Sequence, residues 1–417
     1  MNGDPTDRQL LEKGARRIEW ARAHMPVLSS VASAIKERGK LKGARIAMAL
    51  HVEAKTACLA IALREAGAEV RLASCNPMST DDSVALALNE KYGLETYARK
   101  GEEREEYYNN LNSVLDVKPG ILVDDGADII TLVHSKRREL LSGVIGANEE
   151  TTTGVVRLRA MEKDGKLLFP VIAVNDSYMK YLFDNRYGTG QSTLDGIMNA
   201  TNLLFAGKRT VVAGYGWCGR GIANRVRGMG SLVTVTEIDP VKAVEANMDG
   251  FDVSTMESAI ENADFVITAT GCRDVVTYQH MLKAKDGCVL ANSGHFNLEI
   301  DVEELRKNAR AVQVREYVEE YRLDNGRRIY LLADGRLVNL VSGQGHPAEI
   351  MDLSFSLQAR GAEYLVVNRG KLGRGVHVMP REVDVELAEL KLRSLGVNID
   401  SLTEKQKEYL SSWSEGT

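Results

Sequence analysis

The sequence predicts an α/β protein: two Rossmann-like three-layer α/β/α domains, one inserted in the other, with a small helical C-terminal tail. Three observations predict it. The first is an apolar run, Thr210-Val-Val-Ala213, entering Gly214-x-Gly216-x-x-Gly219. A helical pattern follows, then a second β-rich run, Leu232-Val-Thr-Val-Thr-Glu237. The second is a strand-and-helix alternation upstream whose strand ends carry His51, Cys75-Asn76 and Asp124-Asp125. The third is size: 417 residues exceed one average domain. A content of 44% hydrophobic and 27% charged residues is that of ordinary globular chains.

In chain order, residues 7–40 read as charged helix, with apolar spacing of three to four through Arg16–Arg22 and an interruption at Met25-Pro26. Ala44–Leu50 is a strand, with His51 just past its end. Thr56–Ala66 is a helix stopped by Gly67, and Glu69–Ser74 a second strand. Ile121-Leu-Val-Asp-Asp-Gly126 is a third, ending in two acids. Ligands of open α/β sheets bind outside the carboxyl ends of the strands, so these polar ends give the first domain a site of its own. Glu149-Glu150-Thr151-Thr152-Thr153 is a polar cluster before Gly154, and the strand Pro170–Val174 leads to Asn175-Asp176. Lys180 and Asp184 are four apart and share a face if helical. Such a pair is ordinarily a surface ion pair, but this segment joins the two domains.

Residues 190–340 alternate again. Asp239–Asp249 is helical, Asp264–Thr270 a strand ending at Gly271, and Gly287–Gly294 a strand that delivers His295. Arg322–Arg328 reads as a hairpin around Asn325-Gly326. Gly335–Asn339 closes the domain. After Gly343-Gln-Gly-His-Pro347 a helix from Ala348 returns to the first domain. The resulting division is 1–180 with 346–380, an inserted 190–342, and a tail over 381–417. The joints fall near 176–190 and 343–347.

The glycine spacing has a physical reading. Gly214 allows the tight turn, Gly216 lets backbone approach a pyrophosphate, and Gly219 lets the helix pack on the strand. The helix start offers unpaired N–H groups to phosphate. Glu237, 18 residues past Gly219, suits a ribose 2′-OH and opposes a 2′-phosphate, which favours NAD over NADP. The net charge of −5 and the lack of a basic block exclude nucleic acid as an expected partner. No apolar run reaches a membrane span, and Met1-Asn-Gly-Asp-Pro5 lacks a signal pattern. Five scattered cysteines without CxxC read as reduced cytosolic thiols, and no metal motif is present, so no catalytic metal is expected.

Together these stretches resemble the S-adenosylhomocysteine hydrolase family, and within it the archaeal type, some of whose members are assigned to S-inosylhomocysteine. The resemblance runs from Met25-Pro26 to Leu402–Gln406. Its pieces are Ser74-Cys-Asn-Pro-Met-Ser-Thr80, Asp124-Asp-Gly126, Glu149–Gly154, Val174-Asn-Asp176, Phe183-Asp-Asn185, Gly214-Tyr-Gly216, Gly294-His-Phe296, Gly335–Leu340 and Gly345-His-Pro347. It implies a cytoplasmic homotetramer with NAD held in each subunit, and domains that close over the ligand at two hinges. The implied reaction is reversible hydrolysis of an S-nucleosyl-L-homocysteine to homocysteine and a nucleoside. The ribose 3′-OH is oxidised, the 4′ proton removed, the thiol eliminated from C5′, water added and the ketone reduced.

By the same resemblance Lys180 and Asp184 stand at the 3′-OH, where a lysine of lowered pKa beside a cationic nicotinamide acts as base. Glu150 accepts from the 2′-OH. Asp125 and His51 lie near C4′ and C5′, and His295 serves the leaving sulfur and water. Asn175 and Asn185 support the sugar and nicotinamide. Thr151, Thr152, Thr153 and Asn339 contact NAD, as do Trp217, Cys218, Thr270, Gly271, Ser293 and Gly294. His346 and Met351 lie near the base. His24, His134, His280 and His377 lack such context and are expected to be structural, and Cys75 to be at least as much a buried apolar filler as a channel residue.

Three departures follow. Where many relatives carry a threonine and a glutamate or glutamine, this chain has His51-Val-Glu53-Ala-Lys55-Thr56. Lys55 toward O6 and Glu53 toward N1–H would suit hypoxanthine and mismatch adenine. The alternative is that the two pair elsewhere and backbone reads the base, with a strictly adenosyl substrate. The chain also ends at Ser414-Glu-Gly-Thr417 without the family's Lys/Tyr tail, so cofactor retention is expected to differ. Asn297 replaces a common acid. More distant rivals are a net NAD-dependent dehydrogenase and an inactive regulatory paralogue.

Overall fold

A computed structural model describes residues 5–413, whose strands form two sheets. The first contains β1 (Arg45–Leu50), β2 (Glu69–Ser74), β3 (Thr96–Tyr97), β4 (Ile121–Asp124), β5 (Gly146–Glu149) and β6 (Pro170–Ala173). The second contains β7 (Arg209–Ala213), β8 (Leu232–Thr236), β9 (Asp252–Val253), β10 (Phe265–Thr268), β11 (Cys288–Asn292), β12 (Arg310–Arg315), β13 (Val318–Arg322) and β14 (Arg328–Leu332). β15 (Gly375–His377) returns to the edge of the first sheet beside β6.

The first sheet is ordered β15-β6-β5-β4-β1-β2-β3 and is parallel throughout. The second is ordered β12-β13-β14-β11-β10-β7-β8-β9. It is parallel except for the meander β12-β13-β14, whose second turn is the expected Asn325-Gly326 hairpin with Gly326 at φ 83°. Central strands are buried on both faces, as parallel strands under helices must be. Ile46, Met48 and Leu72 pack with Leu59, Leu88 and Phe355 on one side of the first sheet. Ala47, Leu122 and Val171 pack with Leu111, Ile130 and Leu158 on the other. In the second sheet Val212 and Ile267 face Ile222 and Val226, and Val211 and Leu290 face Met281 and Leu305. Both units are therefore α/β/α sandwiches.

Each sheet has a switch point, where strand order reverses and a crevice opens at the carboxyl ends. In the first it lies between β1 and β4, which end at His51 and Asp125. In the second it lies between β7 and β10, which end at Gly214 and Ala269-Thr270. The chain passes between the sheets through a short helix, Tyr178–Tyr181, and a π-helical turn, Asp184–Gly188. It returns through Gly343–Pro347 into the long helix Ala348–Val367.

The residues expected to form a separate tail from 381 divide in two. Helix Arg381–Ser394 buries Val383, Asp384 and Leu387 in the first sheet's core. Helix Glu404–Ser411 buries nothing. The terminal pentapeptide's first four residues and Ser414–Thr417 lie outside the described residues. No helix among the described residues is long and apolar enough to cross a membrane.

Asp384 has a role no local pattern announces. Its carboxylate accepts from Met179 N (2.8 Å) and Tyr178 N (3.2 Å), the unpaired donors that start the helix bearing Lys180. Asp352 does the same for Leu28 N (2.8 Å) and Val27 N (3.3 Å). Asp384→Ala is expected to cost about 1–2 kcal/mol, the value of a lost cap, seen as a lower Tm. Exposed Glu382→Ala, two residues away, should leave Tm within experimental scatter.

Candidate active site

A single cavity of about 1340 Å³ opens where the carboxyl ends of the two sheets meet. From the first unit come His51, Glu53, Lys55 and Thr56 after β1, Asp125 after β4, Glu150–Thr153 after β5, and Asn175, Lys180, Asp184 and Asn185 from the crossing segment. From the second come Gly214, Gly216, Trp217 and Cys218 after β7, Glu237 after β8, Thr270 and Gly271 after β10, Ser293, Gly294 and His295 after β11, and Asn339. His346 and Met351 complete it from the return segment. Of the residues expected to act in catalysis or to bind substrate or cofactor, Gly219 alone is not on the wall. It lies beneath, where a Cβ would collide with Gly214 O, in keeping with a helix-packing glycine.

The nucleotide end has the shape its glycines require. Gly214 sits at φ 95°, and a Cβ there would stand 2.8 Å from Ala269 O. At Gly216 a Cβ would meet nothing within 4 Å, so the space above it is open to a phosphate. Helix Trp217–Gly228 begins there with no side-chain cap, leaving its first N–H groups for an anion. Glu237 closes β8 and accepts from Tyr215 N (2.7 Å), Ile238 N (2.7 Å) and Asp239 N (3.1 Å), which fixes its carboxylate at the mouth. At the far end Asn339 donates to Ser192 Oγ (3.2 Å), while its buried Oδ1 has no partner among the described residues. An amide N–H donor such as a carboxamide would satisfy it. The open glycine cradle and this orphan acceptor fit NAD. The sequence reading missed Glu299, a buried acid accepting from Thr270 N (2.9 Å), Thr270 Oγ1 (2.7 Å) and Gly271 N (2.8 Å), which holds the loop after β10.

The Lys180–Asp184 pair is not a surface ion pair. Both residues are buried, at 4% and 3% exposure. The π-helical turn brings i+4 and i+5 within reach together, so Lys180 Nζ donates to Asp184 Oδ1 (3.0 Å) and Asn185 Oδ1 (2.9 Å). Glu150 Oε1 stands 3.5 Å away. Asn185 Nδ2 donates to Asn175 Oδ1 (3.0 Å), which also accepts from Thr152 Oγ1 (3.2 Å). Asp184 takes Ser354 Oγ on its other oxygen (2.7 Å), and His346 Nδ1 lies 3.3 Å from Oδ1. Burial alone would depress the Lys180 pKa, but Asp184 and Glu150 outweigh it and hold the ammonium above its ordinary range. The lowered lysine pKa expected from the sequence is thus not the property of these residues by themselves. Burial would raise Asp184, yet Lys180 and His346 keep it well below the usual carboxylate range. Glu150 is pushed up by burial to about 7, against the pull of Lys180 and with the push of Asp184 and Asp125.

A second cluster straddles the two units. Asp125 lies between His51 Nε2 (3.5 Å) from the first sheet and His295 Nδ1 (3.6 Å) from the second. His51 Nδ1 lies 2.7 Å from Ser79 Oγ, which is also 2.9 Å from Asn76 O, so the ring is held between Ser79 and Asp125. Burial lowers His51 to about 4, against the pull of Asp125, so the ring is neutral. Gly126, at φ 107°, makes room: a Cβ there would stand 2.7 Å from His295 Nε2. Cys75 Sγ lies 3.9 Å from Asp125 Oδ2, and donor atoms of His51, Cys75 and Asp125 fall within 4.8 Å of one another. Burial pushes the thiol well up, and the neighbouring Asp125 and Asp124 add to it.

The base-reading expectation is corrected in part. Glu53 caps helix Ala54–Glu65, accepting from Lys55 N (3.0 Å), Thr56 N (3.1 Å) and Thr56 Oγ1 (3.3 Å), and pairs with Lys55 Nζ at 2.5 Å. Its acceptor sites are filled, so it cannot take N1–H of a base. Lys55 also donates to Gln344 O (2.6 Å) and keeps one N–H. The histidines expected to be structural are so. His134 bonds Ile130 O and Leu168 N, His280 completes a capping box with Thr277, and His24 and His377 bond backbone carbonyls. Asn297 is exposed and does not line the cavity.

A dinucleotide cradle facing a buried lysine–carboxylate network and an acid between two histidines defines an NAD-dependent enzyme that moves protons on an enclosed ligand. Comparison with known proteins narrows the class. Residues 6–142 match the family description S-adenosyl-L-homocysteine hydrolase, and residues 185–345 match its NAD binding domain. The adenosylhomocysteinase of Thermoplasma acidophilum is 59% identical over 97% of this chain and 99% of its own length. That of Pyrococcus abyssi is 56% identical over 99% and 97%. The S-inosyl-L-homocysteine hydrolase of Methanocaldococcus jannaschii is 55% identical over 99% of both. The chain belongs to the S-adenosyl-L-homocysteine hydrolase family: it is a hydrolase, and NAD is its cofactor.

Gly126→Ala is expected to lower kcat/KM for thiol release by about tenfold or more, since it displaces His295. The double variant with His295→Ala should lose little beyond His295→Ala alone. Additive losses would show that Gly126 does not act through His295.

Proposed function

We propose that the protein catalyses reversible hydrolysis of an S-nucleosyl-L-homocysteine to L-homocysteine and the nucleoside. The observation that carries this reading is that the Lys180 network and the His51–Asp125–His295 cluster share one cavity with the dinucleotide cradle. A net dehydrogenase has no use for both. Bound NAD supplies a two-electron acceptor for the 3′ carbinol, lent and recovered within one turnover, with the cradle at Gly214–Gly219, Glu237, Thr151–Thr153, Thr270, Gly271 and Asn339 as its holders.

The chain's own groups divide the proton work. Lys180 Nζ accepts the 3′-hydroxyl proton only when neutral. Asp184 and Glu150 hold it protonated in the chain by itself, and a cationic nicotinamide alongside would oppose that hold. Asp184, fixed by Ser354, keeps the amine aligned. Glu150 Oε1 accepts from the 2′-OH. The neutral His51 ring is an acceptor for the proton moved at C4′ and C5′, with Asp125 beside it and His295 opposite. Segments 176–190 and 343–347 act as hinges.

Adenosyl and inosyl substrates both fit the class, and relatives of both names resemble this chain. The remaining N–H of Lys55 meets O6 of hypoxanthine well and the N6 amino group of adenine badly, which favours the inosyl substrate. We place the enzyme in the cytoplasm as a homotetramer, without nucleic-acid or membrane partners. Family resemblance supports this, as do the negative net charge and the exposed Leu410 and Trp413 at the described C-terminal end.

Lys180→Ala and Asp184→Asn are expected to lower homocysteine release by about 10³-fold or more while bound NAD stays stoichiometric. Near-normal turnover in either would remove these residues from the mechanism. The ratio of kcat/KM for inosyl over adenosyl substrate is expected to exceed about threefold, with free thiol as the readout. A ratio at or below one would assign base reading to backbone.

A further inference from the structure

The helix Ala348–Val367 carries two polar side chains, Ser354 and Gln358, one turn apart and both fully buried. Neither lines the cavity. Ser354 Oγ ends on Asp184 Oδ2 at 2.7 Å. Gln358 Nε2 ends on Glu150 Oε2 at 2.5 Å. The helix is pressed against the strand that delivers Glu150. Gln358 O accepts from Asn148 Nδ2 (2.9 Å), and a Cβ at Gly361 would stand 2.7 Å from that same atom. The amide has therefore little freedom to leave the carboxylate.

We propose that Gln358 is a positioning residue for the reaction: it occupies Glu150 Oε2, so that Oε1 alone faces the sugar as an ionised acceptor beside Lys180. This rests on the reading of Glu150 as the 2′-OH acceptor. The charge balance explains why the amide is needed. Asp184 and Asp125 both repel a charge on Glu150, burial penalises it, and Lys180 is already shared with Asp184 and Asn185. Gln358 is the one neutral donor among the described residues that hydrogen-bonds the carboxylate. Its own Oε1 is buried without a partner, so the amide spends its donor here at the expense of its acceptor. Removing the donor lets Glu150 keep a proton to higher pH. The carboxyl then turns as a donor toward the sugar hydroxyl it should accept from.

The test compares Gln358→Met, which keeps volume and removes the amide, on ribonucleosyl and 2′-deoxyribonucleosyl homocysteine, in wild-type and Glu150→Gln backgrounds. On the ribo substrate Gln358→Met is expected to lower kcat/KM by about 10- to 100-fold and to move the acid limb of its pH profile up by about one unit. On the 2′-deoxy substrate, and on the Glu150→Gln background, it should change kcat/KM by less than about twofold. Equal losses on both substrates, or a loss that persists beside Glu150→Gln, would overturn the proposal. If Glu150→Gln itself fails to distinguish the two substrates, the reading of Glu150 is what falls. Should Gln358→Met not fold, Gln358→Glu serves. Its carboxyl shares one proton with Glu150, so activity should be kept at low pH and lost as that proton leaves. An unshifted profile in that variant would equally overturn the proposal.

Discussion

A lysine ammonium taken out of water is the constraint on which the rest of this site depends. An unpaired buried charge costs several kcal/mol, and pairing offsets that only with good geometry and filled hydrogen bonds. Lys180 meets the condition through Asp184, Asn185 and the nearby Glu150. Each of these then needs support of its own. Asp184 leans on Ser354 and His346, Glu150 on Gln358, and Asn185 on Asn175. The support comes from the crossing segment, from β5's end and from the helix Ala348–Val367, three stretches far apart in the chain. The first unit cannot therefore be completed before the chain has passed through the second sheet and come back. This is a physical reason for the insertion.

The same device, a buried carboxylate gathering backbone N–H groups, recurs wherever a functional loop must be held still. Glu149 accepts from Gly126 N (2.8 Å), Ala127 N (2.9 Å) and Thr151 N (3.0 Å), and so ties the loop of Asp125 to that of Glu150. Glu299 does this for Thr270 and Gly271, and Asp384 for the helix of Lys180. Loops at strand ends expose donors that no ladder can use, and a carboxylate satisfies two or three at once. Burial pushes Glu149 well up, with Asp124 and Asp125 adding to it, while the N–H groups of Gly126 and Thr151 pull the other way. The loops stay in place because losing any one bond would leave an acid short of partners in a dry interior.

Much of this was legible in the sequence where chemistry restricts the residue type. Only glycine fits at 214 and 219, and the space over 216 must stay open to a phosphate, so the cradle could be read directly. A lysine four residues before an aspartate could be read as a pair, though not as a buried one. The short strands were harder. β5, Gly146-Ala-Asn-Glu149, has no β-branched residue, and its strand state comes from β4 and β6 on either side. Glu53 looked like a base reader from its place after His51 and its acceptor-only carboxylate, and its capping bonds became visible only with the helix start in place. Ser354 and Gln358 carried a signal that went unread: two polar residues four apart in an otherwise apolar stripe with Met351 and Phe355. Glu149 and Glu299 stand beside the motif residues Glu150 and Gly294–Phe296. Which of two adjacent acids faces the ligand is decided by strand alternation, not by composition.

The way the two units meet bears on how a ligand could be enclosed. None of the four apolar clusters among the described residues spans both sheets. Among the contacts that cross, His295 to Asp125 is polar, and so are the ties at the joints, His346 to Asp184 and Lys55 to Gln344 O. Parting such an interface exposes groups that water can satisfy, whereas parting an apolar one would cost in proportion to its area. Interfaces of this kind permit relative motion of domains. Closure would then be decided by whatever binds the closed form better, which here is a ligand touching both switch points. Such a ligand must reach from Lys180 to His295 and fill the base end by Lys55. Asp125 and His295, which form the direct tie, are also groups proposed to move protons, so closing the cavity and completing the catalytic set become one event.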